Sequence, residues 1–265
     1  MRRASDRRRG GAALALVLAT LGGTTARAAC ERPVYLTFDT GHMGVAPLVA
    51  EVLHRQQVPA AFFLANERTL DQGGSLDAHW APWWKARAAE GQVFGSHTFD
   101  HLYWRADRAD GGFEMRPSAG PQAGTSRAVS AQGYCQELER VRQRFTEMTG
   151  QAMPRLFRAP GGKTSPRLLA AAAACGWTHV GWSEAGFLGD ELPSDRYPNE
   201  RLLAQALARI RPGDVLLAHL GIWSRQDPWA PAVLEPLISG LKARGLCFAS
   251  LREHPVYGRA LASPP

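Results

Sequence analysis

The stretch Val34–His42 reads VYLTFDTGH and joins an apolar run to a cluster of polar side chains. A second stretch, Val93–His101, reads VFGSHTFDH and repeats the arrangement. Each apolar run has the length of a buried β-strand, so the polar residues are expected where strands end. A carboxylate at one strand end and the histidine pair His97 and His101 at another indicate a site for metal-assisted hydrolysis.

Short apolar runs alternate with amphipathic segments of helical length along most of the chain. The predicted strands lie near Val34–Phe38, Ala60–Leu64, Gln92–Gly95, Arg155–Phe157, Thr178–Trp182, Asp214–Ala218 and Cys247–Leu251. The predicted helices lie near Val45–Gln56, Leu76–Glu90, Tyr134–Thr149, Ser165–Cys175, Pro198–Ile210 and Ala230–Arg244. Alternation of this kind predicts an α/β fold of parallel strands with right-handed crossovers. About seven strand–helix units favour a barrel-like, TIM-barrel-like closure over a small open sheet.

One segment, Arg105–Gly133, interrupts this alternation. It is rich in Gly, Ser, Pro and charged residues and shows no sustained periodicity. We expect a long loop there, and because it begins just after the histidine pair, it should border the site.

The formal net charge of +7 is concentrated at the N-terminus of the chain. Residues 1–28 hold six arginines and one aspartate, which leaves 25 basic against 23 acidic residues elsewhere. The body of the protein is therefore nearly neutral, and nucleic acid is not expected as a partner.

Residues 1–28 resemble a secretory signal peptide. They combine an arginine-rich start, the apolar stretch Ala12–Leu21 and small residues before a cleavage site expected after Ala28. We therefore expect a catalytic domain over residues 29–265, exported to the periplasm or secreted, with no membrane span in the mature chain. Cys30 raises a lipoprotein alternative, but Arg27 stands where a lipid-attachment motif takes an apolar residue.

The chain contains four cysteines: Cys30, Cys135, Cys175 and Cys247. In an oxidising compartment this even number permits two disulfides. If the sheet closes into a barrel, its first and last strands are neighbours, which favours Cys30–Cys247 together with Cys135–Cys175. Free buried thiols are the alternative.

Five side chains with useful chemistry follow predicted strands. They are Asp39, His97, Arg158, Glu184 and His219. Catalytic groups of parallel-strand barrels gather at the carboxyl ends of the strands, so these side chains are expected on one face.

These residues carry a family resemblance. The chain resembles polysaccharide deacetylases of the NodB-like kind (carbohydrate esterase family four) over essentially Pro33–Leu251. The matching motifs are Thr37-Phe38-Asp39, His97-Thr98-x-x-His101, Arg158-Ala159-Pro160-Gly161-Gly162 and Leu217-Ala218-His219. The resemblance implies a deformed (β/α) barrel and metal-dependent removal of acyl groups, usually N-acetyl groups of amino sugars.

The resemblance also implies roles for individual residues. Asp39 would be the general base and Arg158 would hold it ionised. His219 would be the general acid, tuned by an acidic residue for which Glu184 and Asp190 are both candidates. The backbone of the turn formed by Pro160, Gly161 and Gly162 would approach the substrate and stabilise the oxyanion.

The same resemblance assigns His97 and His101 to a divalent metal, with Zn²⁺ the expected ion. Four residues apart, they can lie on one face of a helical turn. Thr40 departs from the family pattern, because an aspartate normally supplies a third ligand there. The ion could be held by the two histidines, water and Asp39 or His42; the enzyme could run without metal; or the site could be retained for binding alone.

The sequence as a whole predicts an exported hydrolase that removes N-acyl groups, expected to be N-acetyl, from amino sugars of an envelope or extracellular polysaccharide. The expected partner is thus an acylated glycan. Alternatives are a metal-independent amidase or O-acetyl esterase on the same barrel, and a catalytically silent glycan-binding module.

Overall fold

A computed structural model describes residues 30–262, and its centre is a parallel sheet of seven strands. The strands are β1 (Pro33–Asp39), β2 (Ala60–Leu64), β3 (Val93–Ser96), β7 (Leu156–Phe157), β8 (Thr178–His179), β9 (Val215–His219) and β10 (Cys247–Phe248). They run in the order β10-β1-β2-β3-β7-β8, with β9 also paired to β1. Each strand coincides with one predicted from the apolar runs, so the expected α/β class is confirmed.

Strand β1 is the centre of the sheet. Its first residues pair with β10, and the rest pair with β2 on one side and β9 on the other. This register places Asp39 directly opposite His219. The two side chains that the motifs assign to base and acid therefore leave adjacent strands at the same level.

The wall between β8 and β9 is irregular. There the amide of Ser183 donates to the carbonyl of Val215 at 3.0 Å, and the amide of Leu188 donates to the carbonyl of Leu217 at 3.3 Å. Backbone hydrogen bonds thus continue the wall without a regular strand. This is the deformed (β/α) barrel that the family resemblance implies.

Helices cover the outside of the sheet. They are α1 (Ala46–Gln56), α2 (Ala81–Ala89), α3 (Ala131–Thr149), α4 (Pro166–Ala174), α5 (Asn199–Arg209), α6 (Glu235–Ala243) and α7 (Tyr257–Ala262). The hydroxyls of Ser130 and Ser165 cap α3 and α4 by accepting amide hydrogen bonds of their first turns. Their amphipathic sequences bury one face; in α1 that face includes Val49 and Leu53, which join Phe62 of β2 in the main core.

The expected long loop after the histidine pair is instead a small antiparallel sheet. It consists of β4 (Leu102–Asp107), β5 (Phe113–Pro117) and β6 (Arg127–Val129). Strand β5 forms because buried and more exposed side chains alternate along it: Phe113, Met115 and Pro117 point inward and the residues between them do not. This alternation covers only five residues, which is too short to be recognised in the sequence. We call the residues 102–129 the hairpin extension.

Both expected disulfides are present, Cys30–Cys247 and Cys135–Cys175. The first ties the segment before β1 to the neighbouring strand β10, as barrel closure predicts. Over residues 30–262, no helix is both long enough and apolar enough to cross a bilayer. The expected signal peptide, residues 1–28, lies outside the described residues.

Candidate active site

The carboxyl ends of four parallel strands bring the principal side chains together. Asp39 ends β1 and His219 ends β9, while His97 follows β3 and Arg158 follows β7. Because all four strands point the same way, these side chains meet at one end of the barrel.

Asp39 is the centre of this group and is 3 % exposed. Its Oδ1 accepts a hydrogen bond from Arg158 Nη1 at 2.8 Å, and its Oδ2 lies 3.3 Å from His97 Nε2. Burial alone would raise the pKa of Asp39, but the positive charges of Arg158 and His219 and the adjacent His97 ring hold that pKa below its ordinary value. Asp39 is thus ionised at neutral pH and held in one orientation.

Arg158 is fixed by contacts on every side of its guanidinium group. It is fully buried and donates from Nε to the carbonyl of Val180 at 3.2 Å and from Nη2 to that of Gly181 at 3.3 Å. The guanidinium carbon lies 4.2 Å from the ring centre of Phe63. A buried charge is tolerated where its donors are satisfied in this way.

Asp190, and not Glu184, is the acidic partner of His219. Both carboxylate oxygens of Asp190 lie 3.1 Å from His219 Nδ1, and Oδ2 also accepts the backbone N–H of His219 at 2.7 Å. Glu184 begins a 3₁₀ turn and is exposed. Burial lowers the pKa of His219, but Asp190, with help from Asp39, raises it to about 9. The imidazole is therefore protonated at neutral pH.

His97 and His101 converge, although the backbone between them is not helical. Their ring centres lie 4.8 Å apart. The connection is a turn in which Thr98 (φ 59°) and His101 (φ 50°) adopt left-handed backbone, in place of the expected helical turn. The Thr98 hydroxyl stabilises that turn by accepting the amide hydrogen bond of Leu102 at 2.7 Å. The turn brings the two rings together and places His97 against Asp39, by a different local geometry from the one expected.

The histidine rings are anchored through Nδ1. His97 Nδ1 lies 2.8 Å from the carbonyl of Arg158, and His101 Nδ1 contacts the hydroxyl of Ser118. Burial lowers the pKa of His97 to about 4, so its ring is neutral. With Nδ1–H donated to a carbonyl, Nε2 of His97 keeps a lone pair for a ligand.

Glu67 brings a second carboxylate to this site. It lies in the loop that follows β2, where its Oε2 accepts hydrogen bonds from the Thr40 hydroxyl at 2.6 Å and the Gly41 amide at 2.7 Å. Its Oε1 lies 4.0 Å from His101 Nδ1. Burial would raise the pKa of Glu67, but His101 and the Thr40 hydroxyl hold it below its ordinary value. The carboxylate is therefore ionised, and it lies beside the residue that replaces the family's second aspartate.

The donor set suits a divalent ion by its chemistry. Two imidazoles and nearby carboxylates are zinc ligands, whose atoms in a tetrahedral site lie about 3.3 Å apart. In residues 30–262 no three His, Cys, Asp or Glu side chains are arranged as a metal site. The 4.0 Å separation joins Glu67 Oε1 to His101 Nδ1, which already contacts the Ser118 hydroxyl, so the nitrogen of His101 left for an ion is Nε2.

His42 does not belong to this group. Its ring packs against Trp223, with 5.2 Å between ring centres, and its Nδ1 accepts the amide hydrogen bond of Gly44 at 3.0 Å. The alternative in which His42 is a metal ligand gains no support from these contacts.

Pro160, Gly161 and Gly162 form a 3₁₀ turn directly after Arg158 and Ala159. Both glycines have positive φ. A Cβ on Gly162 would come within 2.5 Å of the Trp182 ring, and one on Gly161 within 2.8 Å of the Tyr103 ring. Glycine is therefore needed at both positions so that two aromatic rings can pack against the turn. This requirement is separate from the expected approach of the substrate.

The amides of this turn are not all available to an oxyanion. Proline has no N–H, and the amide of Gly162 donates to the carbonyl of Ala159 at 2.9 Å. Gly161 is the member of the expected trio whose amide is left for that role.

Comparison with known proteins identifies the family. A sequence profile described as "Polysaccharide deacetylase" matches residues 26–180, more than half of the chain. The chain belongs to the polysaccharide deacetylase family. Polysaccharide deacetylases are hydrolases that act on carbon–nitrogen bonds.

Two curated relatives illustrate the family. The peptidoglycan-N-acetylmuramic acid deacetylase PdaA of Bacillus subtilis is 27% identical over 225 residues, which cover 83% of this chain and 70% of PdaA. A chitooligosaccharide deacetylase of Azorhizobium caulinodans is 27% identical over 231 residues, which cover 83% of this chain and 93% of that protein.

Solved structures share the fold. The family 4 carbohydrate esterase of Streptomyces lividans superposes with a TM-score of 0.60 at 21% identity, covering 84% of this chain and 94% of the esterase. BA3943 of Bacillus anthracis, a pseudoenzyme of the same family, superposes with a TM-score of 0.62 at 19% identity. This chain covers 65% of the length of BA3943. At these identities the likeness concerns the fold alone.

The motifs thus identified the side chains that surround Asp39, and they missed Glu67. A signal for it was present, since Glu67 lies three residues after the end of β2 and the rule of strand ends applies to β2 as well. No short motif marks it.

Proposed function

We propose that this protein is an exported, metal-assisted deacylase that removes N-acetyl groups from amino sugars of an envelope or extracellular glycan. The observation that carries the proposal is the position of Asp39, which lies between the positive charge of Arg158 and the histidine pair and opposite the protonated His219. A base and an acid of this kind at one barrel end are what amide hydrolysis requires.

The base and the acid divide the proton transfers. Asp39 is ionised and takes a proton from the attacking water, and Arg158 keeps the carboxylate in position while it does so. His219, charged and held by Asp190, donates a proton to the leaving nitrogen. The amide of Gly161 faces the developing oxyanion in this scheme.

His97, His101 and Glu67 would hold the divalent ion. Glu67 supplies the carboxylate that Thr40 does not, and Thr40 in turn orients Glu67 through its hydroxyl. A bound Zn²⁺ or similar ion supplies Lewis acidity, which polarises an acyl carbonyl and lowers the pKa of water.

A cavity next to His219 is large enough to hold an acyl group. It has a volume of about 210 Å³ and is lined by His219 and Asp190 on one side and by Ile222 and Trp229 among others. An acetyl methyl group would be removed from water there, which favours an N-acetyl over a charged substituent at the reacting position.

Export is supported by the two disulfides. Both Cys30–Cys247 and Cys135–Cys175 require an oxidising compartment to persist. Removal of residues 1–28 as a signal peptide would leave the domain of residues 29–265 in the periplasm or outside the cell.

Acetate release from N-acetylated oligosaccharides tests the proposal directly. Asp39→Asn should lower kcat by at least about 100-fold, because general base catalysis contributes on the order of 10²–10⁴. Asp71→Asn, at an exposed loop position, is the matched control and should keep the wild-type rate. Chelation should abolish acetate release, and Zn²⁺ should restore it.

Each alternative has its own outcome in this assay. Activity that resists chelation would replace the metal-assisted scheme with a metal-independent amidase. Faster release from O-acetylated sugars would indicate an esterase. Glycan binding without release of acetate from either substrate would indicate a silent binding module.

A further inference from the structure

A cationic cavity adjoins the proposed active site on the side of the hairpin extension. It has a volume of about 440 Å³ and lies between β4, β5 and the segment after the Pro160–Gly162 turn. Three of its lining side chains are positively charged, and none is acidic: Arg105, Arg116 and Lys163.

These three charges are not neutralised within the described part of the chain. Arg105 and Lys163 make no ion pair there, and Arg116 donates only from Nε to the carbonyl of Gly124 at 3.0 Å. Lys163 Nζ lies 5.9 Å from the ring centre of Tyr103.

Arginines elsewhere on the hairpin extension behave differently. Arg108 contacts Asp110 at 3.1 Å, and Arg127 contacts Asp100 at 3.8 Å. Acidic partners are therefore common on this part of the surface and missing at the cavity. Three cations that face one solvent-filled space without counter-charges create a positive potential there.

The cavity adjoins the histidine pair. Its wall includes Ser118, whose hydroxyl contacts His101 Nδ1, and Tyr103, whose ring centre lies 4.9 Å from that of His101. Lys163 directly follows Gly162 of the turn beside Arg158. Ser118 and Tyr103 therefore separate the cavity from His101, so a substrate whose acyl group reaches His101 could extend an anionic substituent into the cavity.

We propose that the substrate is an anionic glycan, and that Arg105, Arg116 and Lys163 bind a carboxylate or phosphate substituent close to the N-acyl group. This inference rests on the proposed function and names its substrate class. Guanidinium and ammonium groups bind both anions, Arg in a bidentate manner and Lys as a point charge. A neutral amino sugar would leave all three cations without a partner.

A matched set of substrates tests the inference. The probes are an N-acetylglucosamine oligomer, the same oligomer with 3-O-carboxyethyl groups, the oligomer with its C6 oxidised to a carboxylate, and the oligomer phosphorylated at C6. The wild-type protein should use at least one anionic oligomer with a KM at least about 10-fold lower than that of the neutral one, with similar kcat. This advantage should shrink at high ionic strength, because exposed charges are screened.

Charge-removing variants locate the effect. The triple variant Arg105→Gln, Arg116→Gln, Lys163→Gln should bring the kcat/KM ratio between anionic and neutral oligomers close to one. Each single variant should lower that ratio about 3-fold. Arg209→Gln is the matched control: Arg209 is exposed at the end of α5, before β9 begins, and so lies at the opposite end of the strands.

Two results would overturn the inference. One is equal use of neutral and anionic oligomers by the wild-type protein, and the other is a triple variant that keeps the wild-type ratio. Equilibrium binding of the same oligomers, measured by calorimetry, separates the inference from the proposed function. If no oligomer is deacetylated but anionic ones bind and the triple variant loses that binding, only the proposed reaction is wrong.

Discussion

At the level of single residues, Thr40 and Glu67 form one unit. The Thr40 hydroxyl is too short to replace an aspartate at the histidine pair, and it donates instead to Glu67 Oε2 at 2.6 Å. The Gly41 amide holds the same oxygen, so Oε1 remains free to face His101. The carboxylate is thus contributed from the loop after β2 and positioned by the loop after β1.

Replacing Glu67 tests that unit. Glu67→Gln should lower Zn²⁺ affinity by at least about 10-fold, because it removes the anionic donor while keeping the shape of the side chain. Competition with a chromophoric chelator measures the affinity, and the absorption spectrum of Co²⁺-loaded protein reports the ligand set. Glu191→Gln is the control, since Glu191 lies 4.0 Å from His219 and, within residues 30–262, makes no hydrogen bond or ion pair with Thr40 or the histidine pair. Unchanged affinity in Glu67→Gln would remove Glu67 from the proposed ligand set.

The ion pair of His219 and Asp190 should determine the pH above which kcat/KM falls. In wild type, kcat/KM should fall as His219 loses its proton near pH 9. Asp190→Asn removes the main cause of the raised pKa, so this basic limb of the pH profile should move towards the ordinary histidine value of 6.5. Glu184→Gln, the other acidic candidate, should leave the profile unchanged. A basic limb that stays in place in Asp190→Asn would contradict the assignment.

Stability should follow the same titration. The pKa of His219 is raised on folding. Protonated His219 therefore stabilises the folded state in full below about pH 6.5, and this stabilisation is lost as pH rises through about 9. The difference between 6.5 and about 9 corresponds to about 3 kcal/mol of stability. Asp190→Asn should therefore reduce the pH dependence of urea unfolding between these two values.

The sequence predicted most of the site because the carboxyl ends of parallel strands all lie on one face of the barrel. Asp39, His97, Arg158 and His219 each follow an apolar run, and the rule of strand ends places them together. The choice between Glu184 and Asp190 depends on the irregular backbone after β8, which no local pattern encodes.

At the level of elements, the hairpin extension is part of the folded core. Phe113 is fully buried and packs against Tyr134 of α3, with 6.1 Å between ring centres. Phe157 of β7 belongs to the same cluster. The sequence predicted a loop here because Gly, Ser, Pro and charged residues dominate its turns, while the strands themselves are only three to six residues long.

Shortening the side chain of Phe113 tests this packing. Phe113→Ala should lower the free energy of unfolding by about 3–5 kcal/mol, because it empties a cluster shared by the hairpin extension, α3 and β7. Glu114→Ala, whose side chain points to the other face of β5, should cost less than about 1 kcal/mol. Urea denaturation followed by tryptophan fluorescence measures both. If Phe113→Ala changes only hydrogen exchange within the hairpin extension, that element unfolds independently of the barrel.

At the level of the whole molecule, strand order explains the disulfide pattern. The first and last strands of the barrel are neighbours, so a bond between Cys30 and Cys247 spans 217 residues of sequence across a short distance in space. The sequence predicted this pairing through barrel closure rather than through spacing of the cysteines. Cys135–Cys175 encloses only 40 residues and links α3 to the end of α4.

Removing each disulfide should therefore have unequal effects. A cross-link restricts the unfolded chain more when it closes a longer loop, which gives upper values of about 5.4 kcal/mol for Cys30–Cys247 and about 3.9 kcal/mol for Cys135–Cys175. We expect the double variant Cys30→Ser, Cys247→Ser to be less stable than Cys135→Ser, Cys175→Ser by about 1.5 kcal/mol. Reversible urea unfolding without reductant measures the difference. The opposite order would mean that native contacts around α3 and α4, and not the entropy of the unfolded chain, determine what these bonds contribute.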